Sequence, residues 1–128
     1  MGYELRVSEW ARKQHSIFIE RWTELERHFL DRHGIDRPGL NYSRKKPGYH
    51  SLDPGYVIDQ LNYLLNNGEI KSGANFLDLG SGLGANVAAA ARMGLNSFGI
   101  ELDRLLAAGS REIITKLERE DLIPKIRL

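Results

Sequence analysis

The segment Asn75-Phe76-Leu77-Asp78-Leu79-Gly80-Ser81-Gly82-Leu83-Gly84 constrains the fold of this 128-residue chain more than any other. A short apolar run ends in an acid, and glycine then occupies every second position. The pattern reads as a strand that stops at a tight turn, since a residue without a Cβ turns the backbone sharply and allows close approach. An alanine-rich stretch follows (Ala85, Ala88, Ala89, Ala90, Ala91), suited to a helix lying close against a sheet. A second apolar run then ends in glutamate, at Phe98-Gly99-Ile100-Glu101-Leu102-Asp103. Strand, helix and strand in this order predict two parallel neighbours joined by a right-handed crossover. Near-continuous apolar character in both strands suits a sheet covered on both faces.

The remaining sequence extends this alternation. One long amphipathic helix is expected over 8–32, with Ser8 as N-cap, Glu9 in its first turn and Gly34 just past its end. Along it Trp10, Gln14, Phe18, Trp22, Leu25 and Phe29 recur at three- and four-residue steps. Such a stripe is read first as core, with a partner-binding surface as the alternative. Residues 34–52 carry two prolines and three glycines without apolar periodicity, and form a long connecting loop. Asp53 then caps a second helix, with Pro54 at its first position, Val57, Leu61, Leu64 and Leu65 on its apolar face, and Asn66-Asn67-Gly68 closing it.

A turn at Lys71-Ser72-Gly73 leads into the first strand, at 75–79. A helix over 84–93, a turn at Gly94, a strand at 97–101 and a helix over 103–120 follow. In the last helix Leu105, Leu106, Ile113, Ile114 and Leu117 are the buried candidates, and beyond Pro124 residues 125–128 have the character of a third strand beginning. The order β-α-β-α-β predicts an α/β fold, a partial doubly wound parallel sheet of three strands. The chain divides into a helical N-terminal extension with a basic loop (1–52) and the α/β region (53–128).

Composition excludes several classes. Hydrophobic residues at 41% and charged residues at 27% are those of a globular chain, and one domain of this length buries a real core. No apolar run approaches a membrane span, so no membrane partner is expected. The absence of cysteine removes disulfides, thiolate metal sites and a cysteine nucleophile, and fits a reducing, cytoplasmic setting. No His and acid spacing suggests a metal site, with His15, His28 and His33 expected on the polar side of the first helix.

Charge is uneven. Residues 1–50 hold ten Lys/Arg, seven Asp/Glu and all four histidines, against eight Lys/Arg and ten Asp/Glu in 51–128. Over 37–52 there is no acid, while Tyr42, Arg44, Lys45, Lys46, Tyr49 and His50 are all present. That segment is read first as a solvated loop and second as a contact for a phosphate-bearing partner.

The glycine turn and the second acid carry the chemistry. Asp78 sits at the carboxyl end of the first strand, where open α/β sheets bind ligands. Gly80 and Gly82 let a ligand approach the backbone, and Gly84 lets the next helix pack close. Glu101 follows Gly82 by nineteen residues, at the end of the neighbouring strand, where its two oxygens can accept from both hydroxyls of a ribose. Leu102 is placed to lie against an adenine, and Asp103 to cap the next helix.

DLGSGLG and FGIELD resemble the first two motifs of the class I S-adenosylmethionine-dependent methyltransferases, over about residues 53–128. The resemblance implies a Rossmann-like fold and S-adenosyl-L-methionine as cofactor. It implies that Asp78 holds the amino group, that the backbone at Gly80, Ser81 and Gly82 faces the methionine and ribose, and that Glu101 binds the ribose hydroxyls. It further implies that the sequence supplies strands 1 and 2 and the start of strand 3 of a larger sheet. The chain is then expected to be a truncated N-terminal part of such an enzyme, inactive alone, with its acceptor-positioning residues beyond Leu128.

Two alternatives belong to other classes. Gly80-x-Gly82-x-x-Ala85 also satisfies the dinucleotide fingerprint of NAD(P)- or flavin-dependent oxidoreductases, although Asp78 would then stand near a pyrophosphate and repel it. A non-catalytic cofactor-binding or interaction module would work through the aromatic face of the first helix. Catalytic residues are not readable: Tyr49 and His50 precede the second helix, where an exposed loop is the first reading and a pocket lining the second. The methyl acceptor is unidentified, with the basic loop favouring nucleic acid or protein over a small molecule. The oligomeric state is not encoded in any pattern.

Overall fold

The computed structural model describes residues 7–35 and 52–126. These form a mixed α/β unit of five helices and a two-stranded parallel sheet. The first helix breaks in two. Helix α1 (Glu9–Gln14) starts at Ser8, whose hydroxyl accepts from the Ala11 N–H, and α2 (Ser16–Arg32) begins after a kink at His15. The periodicity runs straight through the break, but the two halves pack on different neighbours. Ser8 donates its N–H and hydroxyl to the Asp59 carboxylate of α3 (Pro54–Asn66), and Arg12 faces Asp53 at 3.6 Å. Helix α2 instead lies on α5 (Arg104–Arg119).

Phe18, Ile19, Trp22, Leu25, Phe29 and Leu30 are buried on α2, so the aromatic stripe is core from Phe18 onward. Trp10 is 41% exposed, its ring meeting His15 edge-on. Helix α3 starts as expected, with the Asp53 carboxylate accepting from the Gly55 N–H at 2.8 Å and Pro54 in the first turn. It buries Ile58 and Leu61, while Leu64 and Leu65 are half-buried.

Strands β1 (Asn75–Leu79) and β2 (Asn96–Ile100) pair in parallel with Leu77 beside Phe98 and Leu79 beside Ile100. Helix α4 (Ala85–Arg92) makes the crossover, with six of its eight residues being Ala or Val that are buried. Phe76 packs with Leu61, Ala90 and Leu95 on the covered face of the sheet. On the other face Leu77, Leu79, Phe98 and Ile100 are 56%, 73%, 46% and 52% exposed. The sheet is therefore apolar on both faces and covered on one among the described residues.

The third strand expected at 125–128 does not form at Lys125 and Ile126, and residues 127–128 lie outside those described. The Ile126 N–H donates instead to Glu118 of α5 at 2.7 Å, which takes it away from a ladder with β2. One continuous core joins Val7, Phe18, Trp22, Ile58, Leu83 and Ile123, so α1 and α2 share it with the residues around the sheet. Two bidentate pairs, Arg21–Glu120 and Arg32–Glu112, tie α2 to α5 along their outer sides. Among the described residues no helix is long and apolar enough to cross a membrane.

Candidate functional site at the ends of the two strands

The backbone after β1 turns where the sequence requires. Gly80, Gly82 and Gly84 have φ of +74°, +57° and +91°, a region that side chains with a Cβ rarely occupy. The Gly80 and Ser81 N–H groups both donate to the Ile100 carbonyl, at 2.8 and 3.0 Å, so the ladder extends past β1 into the loop. The N–H of Gly84 donates to the Ser81 carbonyl and closes the turn. A Cβ placed at Gly80 would meet nothing within 4 Å, so the loop opens outward there.

Glu101 joins the two strand ends. One carboxylate oxygen accepts from the Gly82 N–H at 2.7 Å and the other from the Asp103 N–H at 2.9 Å. Each oxygen keeps a second lone pair, so the carboxylate can still accept from two donors of a ligand. Asp103 caps α5 as expected, accepting from the Leu105 and Leu106 N–H groups. Leu102, between the two acids, is 93% exposed.

Asp78 stands beside Glu101 at the strand ends. Burial holds its carboxyl above the usual range; a hydrogen bond from Asn86, in the first turn of α4, pulls the other way, and the charge of Glu101 pushes it up again. The site is thus acidic, which suits a cationic ligand and opposes a pyrophosphate. Helix α4 starts at Gly84 with no side-chain cap. A groove of about 540 Å³ runs from Ser81 and Glu101 along the outer edge of β2, beneath Ser110 and Ile114.

Three residues that sequence reasoning passed over shape the loop. A Cβ at Gly99 would lie 2.8 Å from both Ser81 Oγ and Val87 Cγ2, so the missing side chain makes room for Ser81. Leu83 is fully buried, and Gly109 of α5 leaves the space that Leu83 and Phe29 fill. A glycine inside a strand or helix was the available signal at 99 and 109.

The expected residues Asp78, Gly80, Ser81, Gly82, Gly84, Glu101 and Leu102 all lie at this end of the sheet. Tyr49, His50 and the basic stretch of 37–51 fall outside the described residues. His15 stands at the kink rather than on an exposed polar side, accepting through Nδ1 from Arg92 Nε at 2.8 Å. Among the described residues no group of three His, Cys, Asp or Glu is arranged to hold a metal ion.

Compared with protein-family models, with curated proteins and with solved structures, the chain matches none.

Proposed function

We propose that the chain is the S-adenosyl-L-methionine-binding region of a Rossmann-like methyltransferase. The observation that carries this reading is the convergence of Glu101 on Gly82, which brings a strand-end carboxylate to a positive-φ glycine loop. The residues fit the group chemically. Glu101 would accept from the ribose hydroxyls, Asp78 from the amino group, and the open side of Gly80 would admit the methionine portion. Leu102 would cover the adenine with an otherwise exposed side chain.

The cofactor supplies an activated methyl group on a sulfonium, and the chain's own part is to orient it and exclude water. The pairing of Asp78 with Glu101 supports this cofactor over a dinucleotide. Two carboxylates together attract a ligand bearing sulfonium and ammonium charges and repel a pyrophosphate. The acceptor in this reading is a macromolecule, nucleic acid or protein, met through the basic stretch of 37–52, in a cytoplasmic setting.

Isothermal calorimetry on the 128-residue chain tests the reading. Binding of S-adenosylmethionine or S-adenosylhomocysteine, with no comparable binding of NAD or NADP, is the expected result. The reverse preference would replace this reading with the oxidoreductase one.

A further inference from the structure

We infer that Phe29, on a helix outside the strand-helix-strand unit, positions the glycine loop through Leu83 and Gly109, and so sets how firmly that loop holds its ligand. The part concerning the ligand rests on the cofactor site proposed above. The loop from Gly80 to Gly84 has only two side chains with which to anchor itself, Ser81 and Leu83. Ser81 lies over Gly99 of β2. Leu83, flanked by glycines at positive φ, has no exposed surface at all.

Its seat is made by α5 and α2 together. A Cβ at Gly109 would fall 2.5 Å from Phe29 Cζ, 2.6 Å from Phe29 Cε2 and 2.7 Å from Leu83 Cδ2. The phenyl ring and the leucine therefore share the space that any side chain at 109 would occupy. Gly84 meets the same helix one residue on, with a Cβ there falling 2.6 Å from Ser110 Oγ. The pairs Arg21–Glu120 and Arg32–Glu112 hold α2 against α5. Glycines leave the loop backbone free to shift, so a change in the Leu83 seat passes directly to the Gly82 N–H and its bond to Glu101. Phe29 touches no ligand in this scheme; it is a positioning residue.

Three variants of the full chain test it: Phe29→Leu, Gly109→Ala and, as a control, Glu120→Gln, which loosens the same helix pair away from Leu83. Amide hydrogen exchange at Gly82 and Leu83, affinity for S-adenosylmethionine and thermal midpoint are measured on each. Phe29→Leu and Gly109→Ala should speed loop exchange beyond any change in the midpoint and weaken binding about ten-fold, as small misplacements of a binding group do. Glu120→Gln should lower the midpoint and leave both loop readouts alone. The double variant Phe29→Leu/Gly109→Ala should recover part of the loss, because leucine lacks the ring atoms that the new Cβ would strike. Loop exchange that merely follows the midpoint in every variant would overturn the proposal, and Phe29→Leu alone decides it if Gly109→Ala fails to fold. Faster loop exchange in a protein that binds no S-adenosylmethionine would keep the positioning role and remove the cofactor. Unchanged loop exchange in a protein that does bind would do the opposite.

Discussion

The carboxylate of Glu101 and the N–H of Gly82 meet at 2.7 Å, a single hydrogen bond between the turns that follow the two strands. Its second oxygen holds the Asp103 N–H at the entry to α5. Glu101 is therefore a structural tie as well as the proposed ribose acceptor. Replacing it by alanine should lower stability by about 2 kcal/mol, the scale of hydrogen bonds to charged groups, and weaken S-adenosylmethionine by roughly ten- to several hundred-fold. Glutamine keeps one acceptor oxygen and should fall between alanine and wild type in both. Melting curves and calorimetry on the same two variants separate the roles, and unchanged affinity with lost stability would leave Glu101 a tie alone.

Gly80 and Gly84 share a positive φ but differ in surroundings, which gives an ordered prediction. Gly80→Ala meets open space and should cost about 1 kcal/mol, the strain of the left-handed region alone. Gly84→Ala adds a contact of 2.6 Å with Ser110 Oγ and 3.2 Å with Ile114 Cδ1, and should cost about 1–3 kcal/mol more through overpacking. Urea unfolding of the two variants checks the order.

Acid should loosen the His15 contact before it touches the carboxylates. Burial, then the charge of Arg92, holds the imidazole below its ordinary value of 6.5, with Asp59 opposing. The unfolded chain binds this proton more readily, so the contribution is complete above 6.5 and declines as pH falls below it toward the folded value. His15→Gln, which keeps an acceptor for Arg92, should flatten the dependence of the urea midpoint on pH below 6.5. Glu120 and Glu112 are held low chiefly by hydrogen bonds from Arg21 and Arg32, and their contribution declines only below 4.5.

Asp78 has the opposite sign. Its carboxyl is raised by burial first, so ionising it opposes folding and stability falls as pH rises through its folded value. Asp78→Asn should raise the thermal midpoint at neutral pH and weaken S-adenosylmethionine. A variant that gains neither stability nor loses affinity would show that the acid serves neither fold nor ligand.

The parts of this fold legible in the sequence are those encoded within a few residues. Asp53, Ser8 and Asp103 each cap a helix they precede, and the sharp turn expected after the first strand is made with Gly80 and Gly82 at positive φ. Strand β1 falls at the expected residues and β2 one residue earlier than expected. The kink at His15 was hidden because apolar spacing continues across it, and only the separate packing of α1 on α3 and α2 on α5 requires the break. Residues 125–128 have the character of a strand beginning, but a side chain on α5, Glu118, takes the Ile126 N–H instead. The site was legible as a list of residues but not as an object. That Phe29 and Gly109 stand behind Leu83 depends on contacts between residues eighty apart, which no local pattern records.

The sheet face that is left uncovered among the described residues has a consequence for how the chain behaves in a flask. Leu77 and Phe98, Leu79 and Ile100 sit in adjacent pairs, so their exposed surface is one contiguous stripe rather than four separate spots. Water over such a stripe is released by any contact that covers it, at roughly 25 cal/mol per Å² of apolar area. Salts that strengthen apolar association, sulfate above all, act on that release. The chain should thus salt out early and reversibly, at concentrations where its near-neutral charge of +1 offers little mutual repulsion.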